Sequence, residues 1–446
     1  MLRAAVRRFA DSVAAGEARF PALEALLRRE APRLTGRVPG EAVRRPGETT
    51  LEAAVAACRD LADSHLFVQG PPGTGKTWTA SRMILDAIGR GLRVGVSALS
   101  HKAIVNLLRG VEAAAREAGV TIRGYKKSDP GNPENHVAGT MITDIFDNAV
   151  PADFQLIAGT AWLFAREENE GLVDLLFVDE AGQVSLANLV ATGTAARSIV
   201  LVGDQMQLGQ PIQGSHPGES GQSVLEYLLQ GAAVVPPERG LFLGESYRMH
   251  PALCAWVSEA IYDGSLTAHA SCDRQELLLG DGCHPALVPH GLKFREVAHE
   301  GCSQRSDEEV AEVRAIWHDL MRQRWRDRQG RERPVTAEDV LVVAPWNVQV
   351  NALRAALPPE ARVGTVDRFQ GQEAAVVLVS MATSAAGDIP RGISFLFSRE
   401  RLNVAVSRAH CLAVVLASPR LLEVPCATVE DLRLVNTLCH VHAAGQ

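Results

Sequence analysis

Apolar runs of strand length recur along the first half of the chain at Leu66-Phe67-Val68, Val94-Gly95-Val96, Leu175-Leu176-Phe177-Val178 and Ile199-Val200-Leu201-Val202. No polar residue interrupts them, which is the pattern of strands covered on both faces. The stretches between them read as helices, as a parallel sheet with crossover helices requires. A second series, Val340-Leu341-Val342-Val343, Val376-Val377-Leu378-Val379 and Leu412-Ala413-Val414-Val415-Leu416, predicts a second α/β domain. Ser306-Asp307-Glu308-Glu309 reads as a capping box opening a helix. Its apolar positions Val310, Val313, Ile316 and Leu320 follow helical spacing and are expected to pack on the second sheet. A Gly- and Pro-rich stretch from Gly209 to Gly221 lies between the two series, and the boundary is placed after Val234-Val235-Pro236-Pro237. Before the first strand, short helical pieces are broken by Pro32, Pro39-Gly40 and Pro46-Gly47. The organisation expected is an N-terminal extension or linker at 1–48, one α/β domain at 49–237 and another at 238–446.

Composition narrows the class. The chain has 446 residues, 46% hydrophobic and 22% charged, enough to bury substantial cores and unlike disordered, collagenous or coiled-coil sequences. No apolar run approaches the roughly 20 residues that cross a bilayer. The start Met1-Leu2-Arg3-Ala4-Ala5-Val6-Arg7-Arg8 lacks an uninterrupted signal core, and Asp11 and Glu17 argue against a transit peptide, so a cytoplasmic location is expected. A net charge of −7 excludes a bulk polyanion binder and leaves only local basic grooves for such a partner. Eight cysteines without any CxxC fit a reducing compartment. Cys272, Cys283, His284, His290 and Cys302 lack the paired spacing of a zinc site.

The chemistry is concentrated in short strings. Gly70-Pro71-Pro72-Gly73-Thr74-Gly75-Lys76-Thr77 fits GxxxxGK[ST] and stands after a predicted strand and before a predicted helix. Backbone N–H groups of such a loop curl around phosphates, and Lys76 is expected to neutralise β/γ oxygens and the Thr77 hydroxyl to coordinate magnesium. The chain has only five lysines against forty arginines, so Lys76 is not filler. Asp179-Glu180-Ala181-Gly182-Gln183 follows the apolar run ending at Val178. Asp179 is expected to hold the metal and Glu180 to orient and deprotonate a water, which is hydrolysis rather than transfer to a second substrate.

With a third strand-end string, Val202-Gly203-Asp204-Gln205-Met206-Gln207-Leu208, these segments resemble motifs I, II and III of superfamily 1 helicases. The resemblance continues in order. Ser246-Tyr247-Arg248-Met249-His250-Pro251 is similar to the YRMHP element, Gly364 to Glu373 (GTVDRFQGQE) to motif V, and Arg401 to Ala409 (RLNVAVSRA) to motif VI. The motifs span about residues 65 to 415. They resemble the 5′→3′ branch that includes helicases of RNA surveillance and Okazaki-fragment processing. Gln205-Met206-Gln207-Leu208, Val184-Ser185-Leu186-Ala187-Asn188 and Ser100-His101-Lys102-Ala103 look like the C-terminal helicase part of bacterial proteins fused to a RecB-like nuclease. The resemblance implies two RecA-like P-loop domains with mostly parallel sheets and ATP, with Mg2+, in the cleft between them. Arg248 and Arg408 would serve as arginine fingers that reach the γ-phosphate when the cleft closes. Gln207 resembles the γ-phosphate-sensing glutamine of motif III, Tyr247 the aromatic beside the adenine, and Glu373 the motif V acid near the ribose.

A single-strand track is implied as well, DNA in preference to RNA. Ser100, His101 and Lys102, then Thr160 and Trp162, then Pro345 and Trp346, and Thr365 match the family's motifs Ia, Ic, IV and V. Hydroxyls and backbone N–H groups would bind phosphates there, while Trp162 and Trp346 either stack on bases or pack in the core. Three departures stand out. Thr50-Leu51-Glu52-Ala53-Ala54-Val55 lies where relatives often place an adenine-reading glutamine, which relaxes the expected nucleotide selectivity. Ala98-Leu99-Ser100-His101 replaces APSN, and Gly110 to Phe154 leaves little room for a large accessory domain. Nothing upstream of residue 48 would form a RecB-like nuclease, so the chain is expected to be the motor alone, with such a module as a separate partner. The basic run Arg322 to Arg333 (RQRWRDRQGRER) either extends a nucleic-acid contact or is a solvated helix end diluted by Asp327 and Glu332. Alternatives to the helicase reading are a nucleotide-gated nucleic-acid-binding module, an RNA helicase of the same fold and a small-molecule P-loop kinase. The last would not explain two domains.

Overall fold

The computed structural model describes residues 1–209, 216–369 and 371–446; residues 210–215, within the Gly- and Pro-rich stretch, and Gln370 of the motif V string lie outside them. The chain divides into two compact units. Unit 1 comprises Met1–Pro71, Gly75–Gln205 and Gly209–Leu243; unit 2 comprises Pro72–Thr74, Met206–Leu208 and Gly244–Gln446.

Unit 1 is built on eight strands, β1 (His65–Gln69), β2 (Val94–Ser97), β3 (Gly124–Lys127), β4 (Ile142–Ile145), β5 (Leu156–Ala158), β6 (Val173–Val178), β7 (Ala196–Gly203) and β8 (Gly240–Phe242). They form one sheet in the order β4-β3-β5-β2-β6-β7-β1-β8, and every pairing is parallel. Its helices are α1 (Leu2–Ala14), α2 (Pro21–Leu27), α3 (Thr50–Asp60), α4 (Lys76–Gly89), α5 (His101–Glu117), α6 (Ala161–Phe164), α7 (Leu186–Gly193) and α8 (Val224–Leu229). Alternate strand residues serve opposite faces. Leu66, Val68, Val200 and Val202 join a core with residues of α3, α4 and α5, while Phe67, Ile199 and Leu201 join a second core with α2, α7 and α8. Burial on both faces is the reason these strands read as unbroken apolar runs.

Of the two expectations for residues 1–48, an extension or a linker, their packing on the first unit favours an extension. Phe9 of α1 and Leu23 and Leu26 of α2 are buried in the second core, and Ala5 packs with Ala165 and Ala191. The rest of the segment is pinned by backbone hydrogen bonds from Thr35 N to Asp60 O and from Val43 N to Pro237 O, each 2.7 Å. The prolines end short helices, but the apolar residues between them cover one face of the sheet, and that requirement outweighs the breakers. The first unit also ends later than Pro237, after Leu243, because β8 completes the edge of its sheet beside β1.

Unit 2 carries β9 (Glu245–Ser246) paired with β10 (Thr267–Ala268), β11 (Glu276–Leu278), β12 (Gly291–Glu296), β13 (Arg324–Arg326), β14 (Glu332–Pro334), β15 (Val340–Val343), β16 (Arg362–Gly364), β17 (Ala374–Ser380) and β18 (Ala409–Ala417). Its main sheet runs β12-β18-β17-β15-β16, all parallel, and β11-β13-β14 is a separate antiparallel sheet. The helices are α9 (Pro251–Ile261), α10 (Asp307–Leu320), α11 (Asn347–Ala356), α12 (Ile393–Leu396), α13 (Arg399–Val406) and α14 (Val429–Ala444). Val313, Ile316 and Leu320 of α10 pack on this sheet as expected. The capping box does not form. Ser306 Oγ accepts from Glu309 N at 3.0 Å, yet the Glu309 carboxylate is buried and accepts instead from Ser380 Oγ at 2.6 Å and Ala382 N at 2.9 Å, with His299 Nε2 3.0 Å away. Seating α10 on the sheet turns this third residue inward, where only partners from the sheet and its loops can satisfy it. The basic run is no helix end either: α10 stops at Leu320, and β13 and β14 form a hairpin. Among the described residues no helix is long and apolar enough to cross a membrane.

Candidate active site

The phosphate-binding loop leaves the C-terminal end of β1 and enters α4 at Lys76, and Gly70 N donates to Gly203 O at the end of neighbouring β7, 2.9 Å. Gly73 and Gly75 have φ of +77° and +81°, left-handed conformations that glycine adopts without strain and that turn successive N–H groups toward one anion. Lys76 Nζ donates to Gly70 O at 2.5 Å, folding the lysine back over its own loop. Thr77 stands half-buried in the first turn of α4. Pro72–Thr74 belong to unit 2, where Ser246 Oγ donates to Pro72 O at 3.1 Å and Tyr247 N to Gly73 O at 2.9 Å. A Cβ at position 73 would run into Arg248 Cβ and stand 2.8 Å from Ser246 Oγ, so the site demands glycine twice over.

Asp179 and Glu180 follow directly on β6, two strands from β1 in the sheet order. Asp179 is buried. Desolvation first, and the Glu180 charge second, push its carboxyl well above the usual carboxylate range, while Lys76 pulls the other way. Glu180 has φ +50°, rare for a residue with a side chain, and donates its N–H to Asp179 Oδ1 at 2.9 Å. The fit to magnesium is chemical. A buried carboxylate lacking a full counter-charge and a threonine hydroxyl at the start of the loop's helix are hard oxygen donors of the kind that ion takes.

In unit 2, Gln207 is buried, and its neighbour Met206 has its carbonyl held by Asn403 Nδ2 at 2.7 Å, an amide also 3.0 Å from Tyr262 Oη. Arg408 is buried. Arg248 donates from Nε to Glu373 Oε2 at 2.6 Å and from Nη1 to Ser407 O at 3.2 Å, and Gln275 Nε2 binds its carbonyl at 2.7 Å. Tyr247 is 43% exposed, its ring stacked on His269 at 4.5 Å and its hydroxyl bonded to Glu245 Oε2 at 2.7 Å. The sequence does not point to Asn403 or Gln275 as site residues. Asn403 lies within the motif VI string, whereas Gln275 sits in a stretch with no local signal. Glu52, at the position of the missing adenine-reading glutamine, is taken up in a capping box with Thr49 at the start of α3.

The residues named for a nucleic-acid track lie at C-terminal strand ends within each unit. In unit 1, β2 and β5 are neighbours, so Ser100, His101 and Lys102 lie on the same edge as Thr160 and Trp162. Ser100 Oγ caps α5 by accepting from Ala103 N, and Lys102 is exposed. Burial first, then the charge of Lys126, lowers the pKa of His101, whose Nδ1 lies 3.4 Å from Lys126 Nζ. Trp162 is 58% exposed. In unit 2, β15 and β16 place Pro345 and Thr365 on one edge, both half-buried. Trp346 is corrected: it is 4% exposed, donates Nε1 to Thr383 Oγ1 at 3.2 Å and packs on Phe395 at 4.7 Å, so its ring belongs to the core and offers no face to a base.

Two family models, each described as an AAA domain, match residues 52–220 and 220–420. The chain is similar to the DNA-binding protein SMUBP-2 of Rattus norvegicus, 26% identical over 423 residues that cover 77% of this chain and 40% of that protein. It is also similar to the RNA helicase Mov10l1 of Mus musculus, 31% identical over 402 residues, 82% of this chain and 33% of that one. The DNA replication ATP-dependent helicase/nuclease dna2 of Schizosaccharomyces pombe is 24% identical over 80% of this chain and 27% of its own length. This chain therefore spans less than half the length of these relatives. Among solved structures, the arterivirus nonstructural protein 10 helicase aligns with 82% of this chain and 61% of its own at 18% identity and a TM-score of 0.42.

Proposed function

We propose that this chain, which belongs to superfamily 1 of the helicases and to its 5′→3′ branch, hydrolyses ATP with bound magnesium and uses the cycle to step along single-stranded DNA. The observation that carries the reading is the pair Asp179–Glu180. One carboxylate is buried at a strand end within the field of Lys76, and the next is held out in a left-handed conformation that only surrounding structure sustains.

In this reading Gly73, Thr74, Gly75 and Lys76 cradle the phosphates, and Gly70, Pro71 and Pro72 set the entry of the loop. Thr77 and Asp179 would hold magnesium, which would supply positive charge against the phosphates. Glu180 aligns a water with the γ-phosphorus and accepts its proton as the P–O bond to the ADP leaving group breaks. Arg248 and Arg408 come to the γ-phosphate from unit 2 and stabilise the equatorial oxygens, Gln207 reports its presence, and Tyr247 and Glu373 face the nucleoside. Ser100, His101, Lys102, Thr160, Trp162, Pro345 and Thr365 follow the strand, and alternation between nucleotide states moves the units by one step.

The test is steady-state hydrolysis with and without single-stranded DNA or RNA, together with unwinding of DNA and RNA duplexes bearing 5′ or 3′ tails. Several-fold stimulation by DNA and unwinding from 5′ tails are expected. Stimulation by RNA alone would move the chain to the RNA helicase alternative, and binding without any turnover would leave a nucleotide-gated clamp.

A further inference from the structure

The β13–β14 hairpin holds five arginines between 324 and 333, and four are accounted for within the hairpin or its flanks. Arg326 pairs with Glu276 and Glu332, Arg331 with Asp327, and Arg333 with Asp339, while Arg324 Nη2 donates to Glu332 O at 3.4 Å. Arg328, at the tip, is different. Among the described residues no carboxylate lies within ion-pair distance of it, and its guanidinium is fixed by a bond from Nη1 to Tyr247 O at 2.9 Å. The turn that aims it is rigid for its length, because Asp327 Oδ1 accepts from both Gln329 N and Arg331 N.

Its neighbour is the one exposed tyrosine ring of the candidate site. His269 backs the Tyr247 ring at 4.5 Å and an interplanar angle of 26°, and the hydroxyl is tied to Glu245, so the ring is held flat and orientated. The Tyr247 N–H is bonded to Gly73 O, and its carbonyl to Arg328, so one residue joins the phosphate-binding loop to the hairpin tip within unit 2. A planar aromatic beside a phosphate loop is a stacking platform for a base. A guanidinium with donors left over at its rim reads acceptor atoms, and it matches the paired O6 and N7 acceptors of guanine better than the single N7 acceptor of adenine.

We propose that Arg328 is a specificity-determining residue for the purine, donating to the acceptor edge of a base stacked on Tyr247, and that the site therefore takes guanosine as well as adenosine triphosphates. This rests on the nucleotide-hydrolysis reading above. It is tested on the full chain by calorimetric titration with the β,γ-imido analogues of ATP, GTP and CTP in the presence of Mg2+. Wild type binds both purine analogues, and Arg328→Ala weakens the GTP analogue about tenfold, the ATP analogue less and the CTP analogue least. Arg328→Lys, which keeps the charge without the fork, recovers only part of the loss, and Arg324→Ala on the same hairpin leaves the ratio of GTP to ATP analogue at the wild-type value. Equal weakening of all three analogues would make Arg328 a phosphate contact and overturn the proposal, as would an unmoved ratio of GTP to ATP analogue. Binding of the analogues without ATP turnover would count against the hydrolase reading while leaving the Arg328 assignment to be decided by that ratio. A wild-type chain that binds none of the analogues overturns both.

Discussion

Arg248 and Glu373, 125 positions apart, share a hydrogen-bonded ion pair of 2.6 Å, and His410 Nε2 stands 3.4 Å from the other Glu373 oxygen. The arginine proposed to reach a γ-phosphate is thus held by the acid proposed to face the nucleoside. The hydrogen bond from His410, then the charge of Arg248, outweigh burial and pull the Glu373 carboxyl down to about 2. A carboxyl lowered by folding contributes stability that is fully present above its unfolded value of about 4.3 and is lost as pH falls toward the folded value. The difference in melting temperature between wild type and Glu373→Gln should therefore be constant from neutrality to about pH 4 and vanish toward pH 2. Glu373 is half-exposed, so the difference is small. A difference that survives unchanged at pH 2 would show that the pair is not its source.

In the proposed mechanism Arg248→Ala removes a charge that acts as the transition state develops, so kcat should drop by about a thousandfold or more while affinity for a non-hydrolysable ATP analogue changes little. Parallel loss of both would place Arg248 in ground-state binding.

Glu180→Gln keeps the shape of the side chain and removes its basicity. Turnover should fall by about 10²–10⁴ with analogue binding retained, whereas Lys76→Ala should lose both. Single-turnover kinetics and calorimetry on the same preparations separate the two.

The two tryptophans should behave oppositely. Trp162→Ala is expected to weaken binding of a fluorescent single strand, by about 1–3 kcal/mol if a base stacks on it, with an unchanged denaturation midpoint. Trp346→Ala should cost about 3–5 kcal/mol of stability in unit 2 through the cavity it leaves against Phe395.

Leu26, fully buried in α2, is a measure of what the first 48 residues do. Leu26→Ala should destabilise unit 1 by about 2–5 kcal/mol in urea denaturation, and a chain begun at residue 49 should bind the dye ANS and fail to unfold cooperatively. A soluble, cooperatively folding truncation would restore the linker interpretation.

The central strands were legible because each is buried on both faces: Leu66 to Val68, Ile199 to Val202 and Val376 to Val379 are apolar at every position. The edge strands were not. β4 carries Thr143 and Asp144, β8 is three residues long, and β12 alternates apolar residues with Lys293 and Arg295, so none makes an unbroken run. The phosphate-binding loop could be read directly, since a loop that wraps phosphates uses consecutive backbone groups and so leaves a contiguous string.

What the sequence by itself determined is the class of the protein: two α/β units, a phosphate loop between a strand and a helix, and carboxylates at the end of a buried strand. These follow from local rules of period and turn chemistry acting over a few residues. Only the tertiary structure decided that residues 1–48 belong to a core, that Trp346 faces inward, that Glu309 forsakes its own helix for His299 and Ser380, and that Arg248 rests on Glu373. In each case at least one partner is remote in the chain. Which of several possible partners a side chain meets is set by the packing of whole elements, a choice that no short window of sequence contains.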